Sequence, residues 1–137
     1  MSNFDAKKVK NEIVLWIRDW FEKNGKNCRC VLGVSGGKDS SVVAALAVEA
    51  LGKDRVLGVL MPQGIQSDID YSYMLCNFLE IQTIIVPVGG IVNSVTYEIE
   101  TYMDKKMSTQ AITNLPPRIR MAVLYAVSQS VNGRVAN

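Results

Sequence analysis

The sequence predicts an α/β fold, a parallel β-sheet with helices on both faces. Short apolar segments that suit strands alternate with longer segments of helical spacing, which implies parallel strands joined by right-handed crossovers. The second predicted strand, residues 56–61, is apolar throughout, as a strand covered on both faces should be. Because no internal repeat, low-complexity tract or linker is visible, residues 1–137 are predicted to form one domain, cut off as a fourth strand begins.

The remaining elements follow from periodicity and from residues that end helices. Ile13, Ile17 and Trp20 recur at helical spacing, and Asn24 and Gly25 end that helix. In chain order, the predicted strands are residues 30–34, 56–61, 83–88 and a fourth from Arg134, and the predicted helices are residues 11–23, 42–51 (with Asp39 in the first turn), 67–79, 91–102 and 115–130.

Three finer expectations concern the second half of the chain. In the helix at residues 67–79, we expect Ile69, Tyr73, Cys76 and Leu79 to face inward. The polar, weakly patterned residues 104–113 are interpreted as a loop. Since proline is tolerated in the first turn of a helix, we expect the last helix to begin near Leu115.

Composition excludes several classes of protein. The net charge of +2 is too small to argue for a nucleic-acid partner, and the apolar runs are far too short to span a bilayer. Residues 1–10 are polar and charged, so no signal peptide is visible. Cys28, Cys30 and Cys76 include no C-x-x-C pair, which argues for reduced, buried thiols in the cytoplasm. Since the chain has no histidine, we expect no zinc site.

The most informative segment is the glycine-rich turn between the first strand and the second helix. Here an apolar run leads into Ser35, Gly36, Gly37, Lys38, Asp39 and Ser40. Such a turn leaves backbone N–H groups free at a helix N-terminus, which suits an anion. The glycines let the backbone approach a phosphate, the serines and the lysine add donors, and the aspartate can hold Mg²⁺ against phosphate oxygens. We interpret the segment as a site for the phosphates of a nucleotide.

Two familiar phosphate loops do not match this segment. The Walker loop needs four residues between its first glycine and the Gly-Lys pair, but Gly33 is one residue too close and Asp39 follows the lysine. The dinucleotide fingerprint G-x-G-x-x-G fails because Gly36 and Gly37 are adjacent. A plain glycine turn between strand and helix is the alternative interpretation.

The segment after the second strand is a candidate second wall of the nucleotide site. Pro62, Gln63 and Gly64 begin this segment, which continues to Asp68. In parallel α/β sheets, ligands bind outside the carboxyl ends of the strands. The wall and the glycine-rich turn are therefore predicted to lie at the same edge of the sheet.

The motif Ser-Gly-Gly-Lys-Asp-Ser resembles the SGGxDS loop of the PP-loop, or N-type ATP pyrophosphatase, family. Three further stretches are similar to ammonia-dependent NAD synthetases: residues 42–58, residues 60–64 with Asp68 and Asp70, and residues 114–121 with the Tyr-Ala pair that follows. The resemblance covers roughly residues 11–137. It implies an adenine nucleotide alpha hydrolase-like (Rossmann-like) fold. The implied reaction is the ATP- and Mg²⁺-dependent amidation of deamido-NAD with ammonia through an acyl-adenylate, which releases AMP and pyrophosphate.

The resemblance implies that one continuous segment binds ATP. Its residues are Gly33, Val34, Ser35, Gly36, Gly37, Lys38, Asp39 and Ser40. Among them, Ser35, Lys38 and Asp39 are the catalytic candidates, and Asp39 is the implied Mg²⁺ ligand.

The resemblance also implies a deamido-NAD pocket at a homodimer interface. Asn114, Arg118 and Tyr125 match its residues, and their spacings of four and seven put them on one helix face. An arginine fork suits a carboxylate or phosphate, and a tyrosine can stack on a flat ring. The alternative for Arg118 and Arg120 is a solvated helix end.

The sequence departs from the family pattern at several positions. Pro117 replaces an alanine, and Leu60 and Gln63 stand where some members carry arginine and histidine. The resemblance therefore implies the phosphate site but not the contacts to the adenosine part. Full-length members continue beyond Asn137, and the chain is expected to be the N-terminal part of such an enzyme, without a glutaminase domain. Ammonia would then come from solution or from another chain.

Two other functions stay open at this point. A catalytically incomplete nucleotide-binding or dimerising fragment would carry the same sites. A tRNA-thiolating enzyme would share the loop but would need a pair of catalytic cysteines.

Overall fold

The computed structural model of the chain describes residues 4–35, 37–64 and 68–136, with the backbone alone described at residues 68 and 69. In chain order, the elements are α1 Ala6–Asn24, β1 Arg29–Gly33, α2 Lys38–Leu51, a 3-10 turn Lys53–Arg55, β2 Val56–Leu60, α3 Asp68–Leu79, β3 Gln82–Ile85, α4 Gly89–Met103, α5 Thr109–Ser130 and β4 Gly133–Val135. None of the helices in these ranges is long and apolar enough to cross a membrane.

The strands form one parallel sheet in the order β3-β2-β1-β4. Val31 of β1 lies between Leu57 of β2 and Val135 of β4. The second and third strands therefore extend to one side of β1, and β4 lies on the other. This reversal of strand order is the point at which parallel α/β sheets leave a crevice at their carboxyl edge. The predicted parallel sheet is confirmed.

Helices cover both faces of the sheet, as predicted. Cys30 and Leu32 pack in the core beneath α1, α2 and α3, whereas Val31 between them packs in the core beneath α5. This alternation is the two-residue period of a strand. All five residues of β2 are buried, which agrees with their uniformly apolar character.

The start of α5 differs from the prediction. Pro116 and Pro117 lie inside this helix, which begins at Thr109. Ser108 caps it, because its side-chain oxygen accepts from the Ala111 N–H at 3.1 Å. Neither proline has an N–H to donate to the carbonyl four residues earlier. The helix nevertheless continues through both prolines from its capped start at Thr109. The polar segment 104–113 is therefore partly helical.

The boundaries of the first helix and the third strand also differ from the prediction. The first helix begins at Ala6, because the Asp5 carboxylate accepts from the Lys8 N–H at 3.1 Å and caps it. The third strand ends at Ile85, earlier than predicted. Main-chain bonds nevertheless continue the pairing, from Val86 N to Leu60 O at 2.8 Å and from Val88 N to Pro62 O at 2.9 Å.

The inward face of α3 is only partly as expected. Cys76 is buried, and Leu79 packs against the same core. The prediction for Tyr73 was wrong, because its side chain is 37% exposed, whereas the neighbouring Ser72 is buried. The side chain of Ile69 lies outside the described residues.

All three cysteines are buried and carry free thiols, as predicted. Burial raises the pKa of Cys30 to about 11, while the positive charge of Arg55 acts in the opposite direction. Burial also raises the pKa of Cys76. These two thiols are therefore protonated at neutral pH and are poor nucleophiles.

Candidate functional site

The glycine-rich loop lies where the predicted site requires it, at the carboxyl end of β1 and the N-terminus of α2. Val34 N donates to Val59 O at 3.0 Å, which extends the pairing with β2 by one residue beyond Gly33. The chain then leaves the sheet, and α2 starts at Lys38. Gly36, a predicted ATP contact, lies outside the described residues.

The two serines of the loop hold its backbone together. The hydroxyl oxygens of Ser35 and Ser40 are 3.1 Å apart. The Ser35 oxygen accepts from Gly37 N at 3.3 Å, and the Ser40 oxygen accepts from Ser35 N at 3.3 Å and donates to Gly37 O at 3.2 Å. Both hydroxyls thus shape the loop and stand among its backbone amides.

Gly37 occupies the N-cap position of α2, where it offers no side-chain oxygen to the first-turn amides. Its φ of −81° is available to any residue. An added Cβ would meet Ser35 Oγ at an ordinary 3.5 Å. Neither strain nor crowding by the described residues explains this glycine, which favours a need for close approach by a ligand.

Lys38 and Asp39 are exposed in the first turn of α2. Within the described ranges, no group of three or more His, Cys, Asp or Glu side chains is placed to hold a metal ion. Asp39 fits a Mg²⁺ ion that phosphate oxygens and water also coordinate, since this ion commonly binds through one or two carboxylates.

The predicted second wall follows β2 and is fixed from two sides. Arg120 of α5 donates through Nε to Met61 O at 3.0 Å, and the pairing bond to Pro62 O holds the opposite side. A Cβ added at Gly89, the first residue of α4, would lie 3.4 Å from Gly64 N. The N-terminus of α4 therefore packs directly on the wall.

The other predicted residues of the wall are described only in part. Residues 65–67 and the side chain of Asp68 lie outside the described residues, and Asp70 is exposed on α3. No functional role was predicted for Arg120 or Gly89. The arginine lies in the stretch 114–121 that resembles the family, and that placement was the one available indication.

Met61 links the wall to the glycine-rich loop. A Cβ added at Gly33 would lie 3.2 Å from Met61 Cε and 3.9 Å from Leu124 Cδ2. Met61 also packs against both apolar clusters that involve α5. The last residue of β1, the exit of β2 and the inner face of α5 thus meet at this side chain.

The predicted dinucleotide residues share one face of α5, as their spacing required. At 100° per residue, Asn114, Arg118 and Tyr125 fall within a sector of roughly 40°. Asn114 is half-buried, Arg118 is exposed, and Tyr125 is 48% exposed. Met121, 39% exposed, lies next to this sector, roughly 20° from Asn114.

This face of α5 points away from the sheet. Val123 and Val127, which pack against the buried clusters, lie roughly 160° around the helix from the middle of this face. The glycine-rich loop and the α5 face are therefore two separate surfaces of the chain, connected through Arg120 and Met61.

Comparisons with known proteins agree with this architecture. The family model described as NAD synthase matches residues 9–137. An NH3-dependent NAD+ synthetase from Thermococcus sibiricus is 36% identical over 132 residues, which are 96% of this chain and 50% of that protein. The chain thus spans about half the length of the curated relatives it matches.

Solved structures show the same fold. An NH3-dependent NAD synthetase from Campylobacter jejuni, in complex with nitrate, superposes with a TM-score of 0.84 at 28% identity, over 96% of this chain and 56% of that one. A glutamine-dependent NAD+ synthetase from Acinetobacter baumannii, in complex with ADP, gives 0.86 at 27% identity, over 93% and 24%. With its fold, its loop and nearly its whole length matched, the chain belongs to the NAD synthase family.

Proposed function

We propose that this chain provides the ATP site and part of the deamido-NAD site of an ammonia-dependent NAD synthetase. The observation that carries the proposal is the glycine-rich loop at the reversal of strand order, with Asp39 exposed in the first turn of α2. The nicotinate carboxylate of deamido-NAD attacks the α-phosphate of ATP, and pyrophosphate leaves. Ammonia then attacks the acyl-adenylate, which yields NAD and AMP.

The loop serves as the phosphate site in this proposal. The first-turn amides of α2 and the positive end of its dipole stabilise the negative charge that builds on the leaving pyrophosphate. Lys38 is exposed and flexible, so it can follow the phosphates as they separate. The ADP complex of the Acinetobacter relative supports an adenine nucleotide as the ligand.

We assign Mg²⁺ to Asp39. The ion would share the charge of the phosphate oxygens, and Asp39 would hold it beside the loop.

We assign deamido-NAD to the outer face of α5 and propose that a second copy of the chain completes the pocket. Arg118 offers a planar fork for a carboxylate or a phosphate, and Tyr125 offers a ring for stacking. Both side chains are exposed on a face that also presents Met121. A surface of this kind needs a partner to exclude water from the bound dinucleotide.

Two further assignments complete the proposal. Three free, buried thiols suit a reducing compartment, so we place the protein in the cytoplasm. Ammonia reaches the acyl-adenylate from solution or from another chain.

Because the chain spans about half of its relatives, a binding module without turnover is the second candidate. It would bind Mg-ATP and deamido-NAD but release no pyrophosphate, and a pyrophosphate assay with both substrates and ammonium separates the two. The tRNA-thiolating alternative loses support, because all three cysteines are buried.

The first prediction tests Asp39. Replacing Asp39 by Asn should weaken Mg-ATP binding by about tenfold, or ~1.4 kcal/mol, because the amide is a poorer Mg²⁺ ligand. Calorimetric titration with and without EDTA measures this effect, which should vanish when the metal is removed. Asp19→Asn, at an exposed position on α1, is the matched control. Equal Mg-ATP affinity of Asp39→Asn and wild type would remove the metal role, and absence of Mg-ATP binding by wild type would overturn the proposed ATP site.

A further inference from the structure

Arg120 makes a contact that the proposed chemistry does not use. Its Nε donates to the main-chain oxygen of Met61 at 3.0 Å in a partly buried setting. Met61 directly follows Leu60, the last residue of β2. The arginine thus joins α5 to Met61, the residue that immediately precedes the wall.

Met61 connects the bond from Arg120 to the glycine-rich loop. Its carbonyl is held by Arg120, and its terminal methyl lies above Gly33, where an added Cβ would be 3.2 Å away. On the far side of the wall, Val88 N holds Pro62 O at 2.9 Å. A shift of the Met61 main chain would therefore move both the wall and the end of β1.

Another arginine of the chain makes the same kind of bond elsewhere. Arg18 of α1 donates through Nε to Ala50 O at 3.1 Å, near the C-terminal end of α2. At 1.5 Å per residue, that position is roughly 18 Å along α2 from Lys38. The two arginines thus form a matched pair for comparison. The bond of Arg120 lies at the candidate site, and the bond of Arg18 lies far from it.

We propose that Arg120 is a positioning residue for the nucleotide site. By holding Met61 O, it sets the exit of β2 relative to α5, and through the Met61 side chain it sets the start of the glycine-rich loop. The identity of the ligand rests on the proposed function, but the positioning itself does not. Arg120 is two residues from Arg118, so the same helix carries the proposed dinucleotide face and the restraint on the loop.

The test compares Arg120→Met with Arg18→Met by amide hydrogen exchange. Methionine keeps much of the aliphatic stem but cannot donate. Arg120→Met should speed exchange about tenfold at Val34, next to the loop, and at Val88, which is bonded to the wall, because local opening becomes easier. Arg18→Met should leave both amides unchanged and act instead on Gly52, at the end of α2.

Binding supplies the second measurement. Arg120→Met should weaken Mg-ATP binding about tenfold or more, since small displacements of positioning groups are costly. Arg18→Met should stay within about twofold of wild type, and Arg120→Lys, which keeps a charged donor, should recover part of the affinity. A merely structural role would lower the stability of both Met variants alike and leave Mg-ATP affinity unchanged at temperatures where they are folded.

Each outcome decides one claim. Equal exchange at Val34 and Val88 in the two Met variants overturns the inference, whether or not the chain binds ATP. Faster exchange in Arg120→Met with unchanged Mg-ATP affinity overturns the claim that this arginine positions the nucleotide site. If wild type binds no Mg-ATP, the proposed function fails and exchange alone decides the positioning. If Arg120→Met does not fold, Met61→Leu, which removes the methyl above Gly33 at similar volume, should speed exchange at Val34, and no change there would overturn the inference.

Discussion

Gly133→Ala should lower the free energy of unfolding by on the order of 1–3 kcal/mol, as overpacking of a tight core does. A Cβ at this position would lie 2.6 Å from Val31 Cγ2, 3.1 Å from Ser128 Oγ and 3.2 Å from Arg29 O. Val31 is fully buried in the central strand, and Arg29 O belongs to the backbone, so neither can move aside without disturbing β1. Urea denaturation followed by circular dichroism measures the change.

Gly90→Ala is the matched control for this substitution. Gly90 lies in the first turn of α4, and a Cβ there would meet no atom of the described residues within 4 Å. Alanine has a higher helix propensity, so this variant should be as stable as wild type or up to about 1 kcal/mol more stable. Similar unfolding midpoints for the two variants would show that β4 tolerates the extra methyl and that the packing at Val31 is looser than described.

Arg118→Ala should weaken deamido-NAD binding by roughly 1.5–3 kcal/mol, the range for a hydrogen bond to a charged group. Arg118 is exposed on the outer face of α5, so its loss should leave the fold intact. Mg-ATP binding should hardly change, since the loop lies on a different surface of the chain. Titration of both ligands into the variant separates these effects.

Lys23→Ala removes the same charge from an exposed position in the last turn of α1 and controls for general electrostatics. Raised salt should weaken dinucleotide binding to wild type more than to Arg118→Ala, because one fewer charged contact is screened. An equal loss of Mg-ATP and deamido-NAD affinity in Arg118→Ala would instead place this arginine in the loop site or in the fold.

Local patterns were sufficient to predict the sheet and the loop. The uniformly apolar β2 and the strand–glycine–helix order around Gly37 depend on residues close in sequence, and both were confirmed. The shared face of Asn114, Arg118 and Tyr125 follows from helical spacing alone. Helical spacing does not predict that this face points to solvent, because that depends on which residues of α5 contact the sheet.

The errors arose where short patterns compete. Pro116 suggested the start of α5, but Ser108 caps the helix earlier and Ala111 completes that cap. On α3, Tyr73 was expected inside because it is apolar, whereas the small hydroxyl of Ser72 fits under the sheet and lies 3.4 Å from Val34 O. The bond from Arg120 to Met61 joins residues 59 positions apart, and no local pattern indicates such a contact.

The position of β4 beside β1 has a consequence for the order of folding. The second and third strands pair through a single crossover, whereas Arg134 and Asn24, which are joined at 3.1 Å, are 110 positions apart. Closing the long loop between such distant segments costs on the order of 1 kcal/mol more in chain entropy than closing one crossover. Contacts between residues far apart in sequence also slow folding. The first three strands should therefore assemble before β4 docks. In hydrogen-exchange pulse-labelling during refolding, the amide of Val59 should become protected before that of Ala136, which donates to Val31 O of β1.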